Sequence, residues 1–390
     1  MKQYKLFDFL NDETCKLMMD MTREARTEAD NESICNRFSQ IDVNHLYEIC
    51  HEHELDGVVG ACALSLGLTL PSIWEQEYLR QKQRQEFLMN KAIEVCEIMD
   101  SNGIPMAVLK NGGIMIGMVR EAAKCPMEDV DSLVKKSDFY KAHEILIQNH
   151  FKFKFRSEFE FEKLDEAYRD GATEYYYEMP EGEKIWFELA WRAVAGRWIR
   201  PDLEPDTDGF LERAYMPEGT KVRVLSPEDN LLQVCIHTAK HSYVRAPGLR
   251  LHMDVDRIVA HNKIDWNLFI EKVKATHVCT STYLSLFIPS VILKTAIPQW
   301  VLDELKPQNS DRLLKMIGNA GLLHPMERKF SKMEFLMFQT SLYDSKRDMI
   351  HTLYPNKQWM KERYQCETNG QLIQATISRG LDLIGIRKKK

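Results

Sequence analysis

Apolar residues recur three and four positions apart in LYEICHEHEL (residues 46–55) and again from Trp74 to Met99, the spacing of one buried helix face. Residues 1–103 therefore read as a helical region, with Gly103 placed to end the last helix. On such a face His51 and His53 read as surface histidines rather than ligands.

The texture changes at Ile104. MAVLK is a short apolar run fit for a buried strand, and NGGIMIGMVREAA starts glycine-rich and continues as a helix. MEDVDSLV reads as a second strand, SDFYKAHEILIQNH as a helix capped by Ser137, and FKFKFRSEFEF, by strict alternation, as a half-buried strand. GATEYYYEMPEGEKIWFELAW reads as two strands joined by the turn PEGE. Residues 104–200 are thus expected to form an α/β core with a mixed sheet.

Beyond the Pro- and Asp-rich PDLEPDTDG, residues 201–390 read as a helical domain. Its first helix has Ser226 as cap, Pro227 at the first position and Glu228 and Asp229 in the first turn. Breaks are expected at Pro247, Pro289, Pro298, Pro307 and Pro355, and the terminal RKKK reads as a solvated tail. The stripes Leu231, Leu232, Val234, Cys235 and Met253, Val255, Ile258 read as core faces.

Composition adds exclusions. Across 390 residues, 44% are hydrophobic, enough to fill two ordinary cores. The formal net charge of −6 supplies no global attraction to nucleic acid or an anionic membrane. No signal-like leader or bilayer-length apolar run is present, so a soluble cytoplasmic protein is expected. Nine cysteines without CxxC spacing read as reduced thiols, not as disulfides or a zinc site.

The chemistry-bearing feature is Asp129 and Asp131 in MEDVDSLV. On a strand both carboxylates leave one face, about 6–7 Å apart along the chain. Inside an apolar strand such a pair needs a compensating cation; the alternative is an exposed edge strand where both are solvated. Upstream, Gly112 and Gly113 between a strand and a helix leave main-chain N–H groups accessible to a phosphate. Glu188 is a third carboxylate, in the apolar IWFELAW; its other reading is an ion pair with Arg192 or a strand end facing water. His237 and His241, one helical turn apart, could be drawn with Asp254 as a zinc site, although the intervening Glu of a metalloprotease is missing. Trp186, Trp191 and Trp198 read as core packing or as the wall of a base pocket.

In this order LKNGG, PMEDVDSLV and FELAW resemble the glycine loop, DxD strand and third-carboxylate strand of an uncharacterised nucleotidyltransferase family related to the DNA polymerase β and minimal nucleotidyltransferase superfamily. VRVLSPEDNLLQVCIHTAKH, LRLHMDVDRIV, KIDWN and LYPNKQWMKERY resemble its later helical segments. The chain departs from that family at Asn111, at Gly113 (in place of Ser), at Cys125 (commonly Arg) and at Ala190 (often His).

The resemblance implies a polymerase-β-like core flanked by N-terminal helices and a C-terminal acceptor-binding domain. It implies Asp129, Asp131 and Glu188 as catalytic metal ligands for two Mg²⁺ ions, with Mn²⁺ as a substitute, and a nucleoside triphosphate such as ATP as co-substrate. Lys110, Asn111, Gly112, Gly113 and Arg192 would bind the nucleotide, with Lys135 and Lys136 as further cations. His237, Lys240, His241 and Asp254 would face the acceptor, with Arg250 and Arg257 as further basic residues there. The expected reaction moves a nucleoside monophosphate, or a related nucleotide-linked group, to a hydroxyl or phosphate of a small molecule or peptide. Two alternatives are a nucleotide-binding protein of the same fold that has lost catalysis, and an enzyme acting on transfer RNA.

Overall fold

A computed structural model describes residues 4–155, 163–179, 182–193, 199–200, 202–353 and 357–383. The fold is mixed α/β, with many helices around one sheet of six strands. These are β1 (Ala107–Val108), β2 (Asp129–Leu133), β3 (Lys152–Phe153), β4 (Ala172–Glu178), β5 (Lys184–Ala190) and β6 (Arg223–Val224). Their order is β3-β4-β5-β2-β1-β6, with β2 parallel to β5, β1 parallel to β6, and the other neighbours antiparallel. No described helix is long and apolar enough to cross a membrane. All nine cysteines are free.

The periodic stretch before residue 103 is helical as expected, and its last helix, Ser72–Ser101, ends before Gly103 at φ +74°. His53 is a correction. It follows the helix Val43–Glu52 and is fully buried, because its Nδ1 accepts the Leu249 N–H at 3.1 Å. His51 is exposed and faces Asp56 at 3.2 Å.

Local rules were overridden in three further places. The apolar run at 106–110 pairs only at Ala107–Val108, since Lys110 turns to φ +50° and starts the helix Lys110–Ile114. Ser137 does not cap the next helix: a 3₁₀ turn, Lys136–Asp138, precedes Phe139–Gln148, whose cap position is Asp138. Pro289 lies inside the helix Cys279–Ile292 instead of ending it, near enough to its end that few turns are disturbed. Of the described part of FKFKFRSEFEF, Lys152 and Phe153 pair with β4 and Lys154 N–H donates to Glu174 O; residues 156–162, part of the PEGE turn, Trp198, Pro355 and the RKKK tail lie outside the described residues.

Among the described residues two large hydrophobic cores form. One joins Leu6, Leu17, Ile34 and Trp74 to Leu231, Val255, Leu284 and Phe338, so the first helices and the later ones make one helical body. The other joins Leu88, Met89 and Met99 of the helix Ser72–Ser101 to Val130, Phe187 and Leu189 on one face of the sheet. Residues before 103 therefore have no core of their own. The other sheet face turns Leu133 and Ala190 toward the helical body.

Candidate active site

Alternation along β2 sends Val130 into the core and Asp129, Asp131 and Leu133 to the opposite face. Along parallel β5, Trp186, Glu188 and Ala190 share that face, in register as Asp129↔Trp186, Asp131↔Glu188 and Leu133↔Ala190. β2 lies between β5 and β1, which excludes the exposed-edge reading of the aspartate pair. The register also brings in a carboxylate that the sequence reading missed: Glu174 of β4 stands opposite Glu188. The signal was present in GATEYYYE, whose alternation places Ala172, Glu174 and Tyr176 on one face.

Asp131 is buried, and Lys110 Nζ donates to its Oδ1 at 2.5 Å. Burial pushes the Asp131 carboxyl up to about 7; Lys110 opposes the rise and Asp129 and Glu188 add to it. Burial alone would lower Lys110, but Asp131, Glu188 and Asp129 raise it above the usual lysine range. The two shifts favour opposite states of the pair; the short contact favours the ionised one. Three carboxylates, Asp131, Glu188 and Asp129, then act on one ammonium, with Glu174 opposite Glu188 on the same face. Oxygen donors with excess negative charge fit a hard divalent cation. They do not close on one point, however: among the described residues no three His, Cys, Asp or Glu side chains are gathered to hold a metal.

The approach to β2 is tied down from several sides. Pro126 O accepts from Asn111 Nδ2 at 3.2 Å and from Arg250 Nη1, and Met127 O accepts from Arg84 at 2.8 Å and Gln85 at 3.1 Å. Cys125 is fully buried with Arg257 Nη1 3.8 Å from its sulfur, and burial pushes its thiol up to about 11. Asn111 thus positions the strand bearing the aspartates. The glycines serve packing. A Cβ on Gly112 would lie 2.6 Å from Val108 Cγ1, and one on Gly113 2.8 Å from Val108 O, while the Gly113 N–H is already bonded to Leu109 O. The Gly113 N–H is therefore not free, and the close approach these glycines permit is that of helix to strand.

Across the sheet face lies the helix Pro227–Lys240, capped as expected by Ser226. Between them Lys110, Glu188, Arg192, Gln233, His237 and Lys240 line a small cleft of about 80 Å³. Arg192 is committed, since its fork pairs with both oxygens of Glu204 and its Nη1 donates to Asp170 O at 2.9 Å. It therefore does not pair with Glu188. Lys136 stacks over Trp191 at 4.4 Å, away from the aspartate rung. Lys135 is half-buried at the end of β2. Trp186 is half-buried beside Tyr176, their centroids 5.6 Å apart, on the carboxylate face and outside the core.

The four expected acceptor residues separate. His237 and Lys240 line the cleft. His241 has its ring 4.8 Å from His237 but lines a different hollow, and burial lowers it to about 4. Asp254 is buried beside Arg250 and Arg257, and burial raises it to about 6 against those two cations. The zinc drawing therefore has no gathered ligand set among the described residues.

A family model described as "uncharacterised nucleotidyltransferase" matches residues 39–293, well over half of the chain. The match takes in N-terminal helices ahead of residue 104 and stops short of the segment at 353–364. No curated protein matches the chain.

Proposed function

Since the chain belongs to the uncharacterised nucleotidyltransferase family, we propose that it moves a nucleoside monophosphate from a triphosphate such as ATP to a hydroxyl or phosphate of a small-molecule or peptide acceptor. The observation that carries this reading is the rung Asp131↔Glu188, with Asp129 beside it and Lys110 on Asp131.

Asp129, Asp131 and Glu188 would hold Mg²⁺, which when bound neutralises developing charge on the phosphate oxygens. Lys110, about one-fifth exposed at 22%, opens to the cleft and can meet a phosphate oxygen there. Glu188, half-buried at the cleft wall, takes the proton of an acceptor hydroxyl as that oxygen attacks the α-phosphorus; the α–β phosphate bond breaks and pyrophosphate leaves with the bonding pair. His237 and Lys240 stand across the cleft on the side from which an acceptor enters. We place the reaction in the cytoplasm, in keeping with the free thiols.

One observation favours a second reading, binding without turnover: Lys110 occupies Asp131 and Arg192 is held by Glu204. Transfer of α-labelled nucleotide by the wild type and by Asp129→Asn/Asp131→Asn tests the first reading. Labelling by the wild type alone supports it, and equal labelling by both sinks it. Saturable Mg²⁺–nucleotide binding without pyrophosphate release would instead support the second.

A further inference from the structure

Outside the cleft, the chain holds a larger hollow of about 560 Å³, a volume typical of sites for small organic ligands. One wall is residues 245–246 and the other is the segment 325–332, tied together where Ala246 N–H donates to Pro325 O at 3.1 Å. Arg245, Arg328, Lys329 and Lys332 line it, and Glu327 is the one carboxylate among its lining residues. Phe330 and Phe335 supply apolar surface.

The charge arrangement sets this place apart. Several arginines elsewhere hold carboxylates at contact distance, as in Arg37–Asp20, Arg213–Asp229 and Arg223–Asp100, each at 2.7 Å. None of the four cations around the hollow has a carboxylate ion-pair partner among the described residues; Arg328 and Lys329 use a donor each on the carbonyls of Phe330 and Leu323. Like charges held around one concavity repel unless an anion is shared among them. In a chain of net charge −6, this cluster is a local reversal of sign.

We propose that the hollow binds a small organic anion, a phosphate or carboxylate carried on an aromatic or aliphatic body, with the cations on the anionic group and Phe330 and Phe335 against the body. His241 lines the hollow and His237 the cleft, with ring centroids 4.8 Å apart at the end of the helix Pro227–Lys240, so the hollow is a neighbour of the cleft and a separate site from it. Binding at the hollow does not rest on the nucleotidyl-transfer reading.

The test is calorimetric titration with phenyl phosphate, and with inorganic phosphate to gauge the body's contribution. Wild type is expected to bind phenyl phosphate saturably and more tightly than inorganic phosphate, and Arg245→Gln/Arg328→Gln to weaken phenyl phosphate at least tenfold. These side chains are exposed, so thermal melting should match the wild type; Lys332→Met provides an independent second variant. Asp129→Asn/Asp131→Asn should keep phenyl phosphate affinity while losing label transfer. Unchanged affinity in both hollow variants, or binding of acidic peptides but not of phenyl phosphate, overturns the proposal. If no label transfer is seen in any protein while the hollow variants still lose phenyl phosphate, the reaction reading fails and the anion site stands.

Discussion

Lys110→Met would remove the ammonium from Asp131 and leave a carboxylate in a buried position beside Asp129 and Glu188. At 2.5 Å the pair is in direct contact, with side chains 22% and 7% exposed. Removing one member of a buried pair costs about 3–5 kcal/mol, mostly as the uncompensated charge left behind. Because Lys110 keeps some contact with water, the lower end, about 3 kcal/mol, is expected. For a chain of this size that corresponds to a fall of roughly 5 °C in unfolding temperature by calorimetry. Lys110→Met/Asp131→Asn should regain most of the loss, since the second change removes the stranded charge. Millimolar Mg²⁺ should raise the melting temperature of Lys110→Met more than that of the double variant, because binding to the folded state stabilises it. If Lys110→Met melts with the wild type, or the double variant is no better than the single one, the electrostatic account of this face is wrong.

Further outcomes follow from the geometry. Gly113→Ala should lose about 1–3 kcal/mol in a urea midpoint, from the 2.8 Å clash with Val108 O; a neutral result would remove the packing explanation of this glycine. Glu174→Gln should lower label transfer about 10- to 100-fold and raise the Mg²⁺ needed for half-maximal rate, whereas an unchanged Mg²⁺ requirement would place Glu174 outside the site. Burial holds His53 near 3, below the usual 6.5, with His324, Lys329 and His252 adding to the shift. The unfolded chain therefore takes up a proton that the folded chain refuses, so this group's support for folding is complete above about pH 6.5 and shrinks as pH falls toward 3. His53→Asn, which keeps an acceptor for Leu249 N–H, should flatten the loss of stability between pH 6.5 and 4.5 by up to about 1.4 kcal/mol per pH unit; equal slopes would refute the assignment.

Much of this site was readable in the sequence because its signals are local. Alternation alone put Asp129 with Asp131, and the Ser226–Pro227 start located the helix that faces them. The rung that joins Asp131 to Glu188 was not readable, since register between strands 57 residues apart is set by the whole sheet. Arg192 looked like a phosphate cation until the fold brought Glu204, from the Pro- and Asp-rich PDLEPDTDG, onto its guanidinium. His53 looked like a surface histidine because its partner, Leu249 N–H, lies 196 residues away. Asn111 and Cys125 looked like departures from the family's pattern, and both are buried in the ties that hold the approach to β2.

The shared helical core has a consequence for the order of events during synthesis. Leu6, Leu17, Ile34 and Trp74 share one core with residues as late as Leu231, Leu284 and Phe338, with the whole sheet unit between them in the chain. At about 5–20 residues per second, the ribosome takes roughly 8–30 s to make that intervening stretch. For that time the first helices have emerged packed on one another but with the later part of their shared core missing, although the entropy of later closing so long a loop grows only slowly with its length. The sheet unit, whose contacts are nearer in sequence, has its partners sooner. The nascent chain thus completes the core around Val130 before the helical body, and the face bearing Asp129 and Asp131 is covered only when the helix Pro227–Lys240 arrives.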